Sequence, residues 1–145
     1  MNTQEIEKIK DLRDYAELAW ASYSTGLRNG MFGVDSKGDR GEITDKEYEK
    51  LPTYFQVLNV DSAFWEVWED DYKVGFSAGQ THNFVKRYKV TYHYTADWSG
   101  FSATLFHDML KNKYVVAFLG TEMTKINDII QDIGLTLGTN LQRNV

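Results

Sequence analysis

The sequence predicts a mixed α/β chain in which N-terminal helices precede a small mixed sheet and a C-terminal helix. Two observations indicate this order. In the first part of the chain apolar residues recur every three or four positions, which is the period of a helix with one apolar face. Farther along, residues 88–94 alternate between apolar and polar, and residues 114–119 form an apolar run, both of which are typical of strands.

Length and composition predict one domain over residues 1–145, because the chain is 42% hydrophobic and 26% charged and has a single proline. A net charge of −5 with no basic stripe argues against nucleic acid as a partner, since phosphate binding needs clustered lysine and arginine. The absence of cysteine excludes disulfides and thiol catalysis.

The N-terminal segment is charged and amphipathic, unlike a signal peptide, and no run of about 18 apolar residues occurs. We therefore predict no transmembrane segment and, by default, a cytoplasmic location. Secretion by a route without a signal peptide stays open.

Residues 3–24 are predicted to form an amphipathic helix, with Asn2 or Thr3 as the residue that caps its start. Its apolar stripe consists of Ile6, Ile9, Leu12, Tyr15, Ala16, Ala19 and Tyr23. A second, shorter helix is predicted after Thr44, because Thr44 and Glu47 have the spacing of a capping box, and Pro52 ends it.

Two further short helices are predicted before the sheet, over residues 61–72 and after Thr81 as a cap. The alternating segment 88–94 then places Tyr88, Val90, Tyr92 and Tyr94 on one face of a strand.

Residues 100–107 and 114–119 are predicted to be two strands joined by a polar loop. The second strand is apolar on both faces, as in a central strand that is covered on both sides. Residues 126–138 complete the fold as a helix with Ile126, Ile129, Ile130, Ile133 and Leu137 on one stripe.

A first candidate site is Ser77, because residues 75–79 read GFSAG and match the G-x-S-x-G pattern of a nucleophile elbow. The surrounding sequence favours a loop. An acidic segment precedes the motif where a buried strand is needed, and only a short helical segment follows it.

A second candidate site is a calcium loop over residues 35–47, which contains Asp35, Asp39, Gly41, Ile43 and Glu47. The spacing departs from an EF-hand, and Lys37 falls at a ligand position in one of the two possible alignments. A loop that leads into a capped helix is the favoured interpretation. No cofactor is predicted, and weak calcium binding at this loop remains the alternative.

The third candidate site is the corner after the apolar run, where residues 114–122 read YVVAFLGTE. A strand that ends in Gly-Thr before a helix leaves backbone N–H groups and a hydroxyl at the strand's carboxyl end, where open α/β sheets bind ligands. Such donors can stabilise an oxyanion. On spacing alone, a strand with a turn is favoured.

Residues 99–138 resemble the N-terminal half of the class 3 lipases, which are α/β-hydrolases. More specifically, they are similar to a bacterial lipase-like group in which SGFSAT precedes a strand that ends in an FRGTE-type block. The matching residues are 99–104, Phe118, Gly120, Thr121, Glu122, Asp128 and Asp132.

The resemblance implies that the chain is the first half of an α/β-hydrolase and that Thr121 contributes to an oxyanion hole. It also implies a lipid or small ester as the substrate of the complete protein, with the nucleophilic serine, the aspartate and the histidine of the triad beyond Val145. The 145-residue chain alone is then expected to be inactive, and the resemblance counts against Ser77 as nucleophile. Leu119 departs from the family pattern, in which arginine occupies this position.

A second hypothesis belongs to another functional class. On it, a shortened hydrolase scaffold serves as a non-enzymatic binding module that self-associates, as a homo-oligomer, through an exposed sheet surface.

Overall fold

The computed structural model describes residues 1–39, 44–62, 74–95 and 101–120, together with residues 128, 131, 132 and 134. Helices and a three-stranded sheet follow one another within these ranges, which confirms a mixed α/β chain. The elements are α1 (Thr3–Ala21), α2 (Asp45–Glu49), α3 (Tyr54–Leu58), α4 (Ala78–Arg87), β1 (Tyr88–Thr95), β2 (Ser102–Asp108) and β3 (Lys113–Leu119).

Side-chain caps define where the helices begin. Helix α1 begins with a capping box, in which Asn2 Oδ1 accepts from the backbone N–H of Glu5 at 2.9 Å and the Glu5 carboxylate accepts from that of Asn2. The predicted box between Thr44 and Glu47 is confirmed at the start of α2.

The predicted cap of the fourth helix is wrong by one turn. Ser77, and not Thr81, caps α4, because Ser77 Oγ accepts from the backbone N–H of Gln80 at 3.2 Å. Thr81 is instead buried inside the helix, and its hydroxyl donates to the Ser77 carbonyl, four residues earlier, at 2.7 Å. This hydrogen bond is typical of a threonine within a helix.

The three strands pair in the order β1-β2-β3, and both pairs are antiparallel. The sheet of the described residues is therefore antiparallel and not mixed. Residues 109–112 alone join β2 to β3, and so short a connection reverses the chain and permits only antiparallel pairing.

The prediction that β3 is the central, doubly covered strand is wrong for the described sheet. Strand β2 occupies the centre and is almost wholly buried, whereas β3 lies at an edge and is mostly half-buried or exposed. The greater burial of β2 cannot be predicted from its composition, because β2 contains three buried polar residues, Ser102, Thr104 and Asp108.

A β-bulge in β1 changes which residues share a face. Val90 pairs with Phe106 and Tyr92 pairs with the preceding residue, Leu105, so Thr91 is an extra residue in the ladder. Tyr88 and Val90 consequently belong to the main core, whereas Tyr92 packs in a cluster on the opposite face. The predicted single face for all four residues is therefore wrong, because one inserted residue reverses the alternation.

Two apolar clusters cover the two faces of the sheet. The larger lies between the helices and one face, and Phe84 of α4 is near its centre, with ring centroids 4.7 Å from Tyr88, 5.5 Å from Phe76 and 5.8 Å from Phe106. The smaller cluster consists of Phe101, Ala103 and Leu105, with Tyr92, Tyr94 and Val116 packed against it. The sheet is thus covered on both faces near β2.

Helix α1 contacts the rest of the protein mainly through polar residues. Ile9 is 52% exposed and Leu12 is 68% exposed, so the predicted apolar stripe does not form the buried face in this half of the helix. The ionic and polar contacts of this helix are those of Asp11 with Lys111 of the β2–β3 turn at 2.8 Å, Asp14 with Arg87 at the end of α4 at 3.1 Å, and Tyr15 with Lys113 of β3 at 3.0 Å. Only the C-terminal end of α1 is anchored by buried apolar side chains, those of Leu18 and Ala21.

The predicted helix over residues 61–72 lies almost wholly outside the described residues. Of the predicted helix over 126–138, Asp128, Gln131, Asp132 and Gly134 are described, and all four are helical and exposed. Its apolar stripe lies outside the described residues. Within the described part of the chain, no helix combines the length and the apolar character needed to cross a bilayer.

Candidate functional site at the end of strand β3

Strand β3 ends at a sharp backbone corner. Gly120 follows directly after Leu119 and has a φ of +99°, a conformation that side chains other than glycine rarely adopt. The glycine of the predicted Gly-Thr corner is therefore required by the positive φ of the backbone at this position. Thr121, the predicted oxyanion-hole residue, lies outside the described residues.

Three polar residues share one face of the sheet beside this corner. In the β2–β3 register Ser102 is opposite Leu119 and Thr104 is opposite Ala117. In the β1–β2 register His93 is opposite Thr104. We refer to His93, Ser102 and Thr104 as the β2 polar cluster.

His93 and Thr104 form a close pair, with 2.7 Å between Nδ1 and Oγ1. The backbone N–H of His93 also donates to Asn29 Oδ1 at 2.8 Å, which ties the strand to the loop after α1. Burial lowers the pKa of His93 from 6.5 to about 4, because the charged imidazolium loses its solvation there. The imidazole is therefore neutral near neutral pH.

A neutral imidazole beside a hydroxyl can in principle accept its proton. Thr104 is fully buried, however, so its hydroxyl is not exposed to a substrate. The pair instead fixes the relative positions of β1 and β2 next to the corner.

Ser102 differs from its two neighbours in the β2 polar cluster. The residue is 6% exposed, and among the residues that the structure describes its hydroxyl has no hydrogen-bond partner. A buried hydroxyl without a partner is destabilising, and such groups call for an explanation such as a ligand or a bound water. Ser102 is paired across the sheet with the residue that precedes Gly120, which places this hydroxyl at the corner.

The β2 polar cluster has only a partial signal in the sequence. Alternation along β2 puts Ser102, Thr104 and Phe106 on one face, and two hydroxyls on a buried face are unusual. His93 cannot be assigned to that face from sequence, because the bulge at Thr91 moves it there.

Ser77 has the geometry of a helix cap. Its φ is −67° with an extended ψ, and the residue is exposed. A Cβ added at Gly79 would meet nothing within 4 Å, so this glycine does not relieve the crowding that an elbow needs it for. The capping hydrogen bond accounts for Ser77, and its role as nucleophile remains a prediction without geometric support.

The predicted calcium loop is described in part. Gly41 and Ile43 lie outside the described residues. The Glu47 carboxylate accepts two hydrogen bonds from Thr44, and Lys37 Nζ donates to the Glu49 carbonyl. Over the ranges that the structure describes, no three histidine, aspartate or glutamate side chains are grouped to hold a metal ion.

Comparison with known proteins gives no relative: no family model, no curated protein and no solved structure matches this chain.

Proposed function

We propose that this chain is the oxyanion-strand part of a lipase- or esterase-like serine hydrolase. The observation that carries the proposal is the corner after β3, where Gly120 adopts a φ of +99° immediately before Thr121. A strand that ends in such a turn can direct backbone N–H groups and a hydroxyl at a developing oxyanion. The sequence resemblance assigns this role to Thr121.

The β2 polar cluster supports the corner from the neighbouring strand. The hydrogen bond between His93 and Thr104 holds β1 against β2, and β2 is paired with β3 along its whole length. A rigid strand matters because oxyanion donors act only when they are held in position before the reaction.

The edge position of β3 is consistent with a larger sheet. Among the described strands β3 pairs only with β2, although its residues are apolar on both faces. In the proposed enzyme a further strand would pair with this edge. The nucleophile and the base would follow Val145, as the resemblance implies, and we expect no ester hydrolysis from the 145-residue chain alone.

The test measures hydrolysis of p-nitrophenyl butyrate by the protein expressed from the complete reading frame. Thr121→Val keeps the side-chain shape but removes the hydroxyl, and loss of one oxyanion donor lowers kcat about 10²–10³-fold. Thr53→Val, which removes the cap of α3, is the matched control and should leave kcat unchanged in the folded protein. Activity of the 145-residue chain that disappears in Ser77→Ala would contradict the proposal and assign the nucleophile to Ser77.

A second candidate function, self-association as a non-enzymatic module, is favoured by the same edge strand. Phe118 is 37% exposed and Tyr114 is 43% exposed on β3, and exposed apolar edges favour pairing with a second copy. Sedimentation of the chain should then show a dimer that Phe118→Lys disrupts, whereas Leu110→Lys at the β2–β3 turn should not disrupt it.

A further inference from the structure

Helix α1 carries a row of apolar residues on the side that faces away from the rest of the protein. Four residues follow one another at spacings of three and four, which places them on one face of the helix: Ile9, Leu12, Ala16 and Ala19. All four are exposed, and Ile9 and Leu12 are each more than half exposed. We refer to these four residues as the α1 stripe.

The opposite face of the helix holds the α1 stripe outward. Asp14 lies 3.1 Å from Arg87 of α4, and Leu18 is buried in the main core. By the period of the helix, Asp14 and Leu18 lie on the far side of α1 from the stripe. The helix cannot turn the stripe inward without breaking the Asp14–Arg87 ion pair and exposing Leu18.

The side chains of the α1 stripe are bulky in the first half of the helix and small in the second half. When two such helices run antiparallel, Ile9 of one copy lies opposite Ala19 of the other, and Leu12 lies opposite Ala16. Each bulky side chain then meets a small one, which fills the space between the helices evenly. A parallel pair would bring like against like, so that one half of the contact is crowded and the other half is poorly filled.

We propose that the α1 stripe is the contact surface of a symmetric dimer, in which α1 packs antiparallel against α1 of a second copy. A two-fold axis relates the copies, so each pairing of a bulky with a small side chain occurs twice. Such a contact buries on the order of 1,000 Å² in total, at the lower end of specific interfaces, and we therefore expect a weak, reversible dimer. This surface is separate from the corner after β3 and from the β3 edge, and the proposal does not depend on the proposed hydrolase function.

A lipid surface fits the α1 stripe less well than a second copy does. Helices that lie in a membrane interface combine a large apolar face with lysine and arginine. Two of the four residues of the stripe are alanines, Glu5 continues the same row one turn earlier, and the chain has a net charge of −5. An acidic chain with so narrow an apolar row is not attracted to anionic headgroups, whereas a second α1 has the complementary shape.

The experiment is sedimentation equilibrium of the 145-residue chain at up to about 1 mM, which reaches the range of weak association. We expect a monomer–dimer equilibrium. Leu12→Ala leaves a gap and Ala16→Leu creates an overlap, and each should weaken the dimer about tenfold or more. The double variant exchanges the two sizes and restores their complementarity, so its dissociation constant should return to within about threefold of the parent value.

The matched control is Lys10→Ala, because Lys10 is exposed on the same helix but lies outside the α1 stripe. This variant should dimerise as the parent chain does. Because every substituted residue is exposed, the circular dichroism spectrum of each variant should match that of the parent chain.

A chain that stays monomeric, a dimer that survives both single variants, or a double variant that dimerises no better than the single ones would each overturn the proposal. A stronger dimer in Ala16→Leu would also overturn it, since it would show a contact that depends on apolar area and not on shape. Binding of a monomeric chain to phosphatidylglycerol vesicles would assign the stripe to lipid instead. Loss of the dimer in Phe118→Lys would assign self-association to the β3 edge.

Discussion

Arg87 at the end of α4 donates two hydrogen bonds to Asp108 at the end of β2, at 3.1 and 2.9 Å. The same carboxylate accepts from the backbone N–H groups of Leu110 and Lys111, and so also holds the turn into β3. One side chain thereby joins the helical layer, the central strand and the hairpin.

Asp108→Asn should lower the free energy of unfolding by about 3 kcal/mol, because it leaves the partly buried guanidinium of Arg87 with less compensation. The measurement is urea unfolding followed by circular dichroism. Asp11→Asn is the matched control, since it breaks an exposed ion pair with Lys111 and should cost much less. Equal losses in the two variants would show that burial does not strengthen the Arg87–Asp108 pair.

The free energy of unfolding should rise with pH between about 4 and 6.5, because His93 has a lowered pKa in the folded protein. In this window the unfolded chain binds a proton at His93 that the folded chain does not bind. The slope from one such group is at most about 1.4 kcal/mol per pH unit. Urea unfolding at several pH values should show a shallower slope in His93→Gln than in the parent chain, and His82→Gln, at an exposed position, is the matched control. Identical slopes in the parent and in His93→Gln would contradict the assignment.

Ser102→Ala should leave the chain as stable or make it more stable, because it removes a buried hydroxyl that has no hydrogen-bond partner within the described part of the chain. Ser24→Ala is the contrasting variant, since the buried Ser24 hydroxyl donates to the Val57 carbonyl at 2.9 Å. It should lose about 1 kcal/mol or more. Thermal unfolding of both variants compares them, and a clear loss in Ser102→Ala would show that this hydroxyl is satisfied in solution.

Gly38→Ala should be strongly destabilising, and Gly79→Ala should not be. At Gly38 φ is +74°, and an added Cβ would lie 2.7 Å from Met31 Cγ and 2.8 Å from the Asn29 carbonyl oxygen. Gly79 is inside α4 with open space around it, where alanine gains about 0.5–1 kcal/mol over glycine. The melting temperature should therefore fall in Gly38→Ala and rise in Gly79→Ala. An unchanged melting temperature in Gly38→Ala would show that Gly38 does not lie as close to Met31 and Asn29 as the structure has it.

Local signals in the sequence locate several of the described elements, although α3 (Tyr54–Leu58), with its capping box at Thr53, was not predicted. The capping residues Asn2 and Thr44 and the alternation from Tyr88 onward predict helix starts and a strand that the structure confirms. These features depend on neighbouring residues only, so a single sequence contains them.

Arrangements that depend on distant residues are the ones that sequence misses. No pattern around Thr91 announces the bulge that moves His93 to the inner face of the sheet. The apolar run of β3 indicates a buried central strand, but β2 is the central strand of the described sheet although it contains buried polar residues. The partner that satisfies a polar residue, such as Arg87 for Asp108, is 21 positions away in the chain.

Because α1 is held largely by ion pairs and polar contacts, its packing against the rest of the protein should depend on ionic strength more than the packing of the apolar core does. Asp11 and Asp14 reach Lys111 and Arg87 across a boundary that few apolar contacts reinforce, while Leu18 and Ala21 hold the helix at its other end. Salt weakens an exposed ion pair such as Asp11–Lys111, weakens the partly buried Asp14–Arg87 pair less, and leaves apolar contacts intact. The N-terminal half of α1 can therefore detach from the rest of the protein as ionic strength rises, while Leu18 keeps the C-terminal end in place and the aromatic core does not change. Amide hydrogen exchange would then be faster in the N-terminal half of α1 than in its C-terminal half.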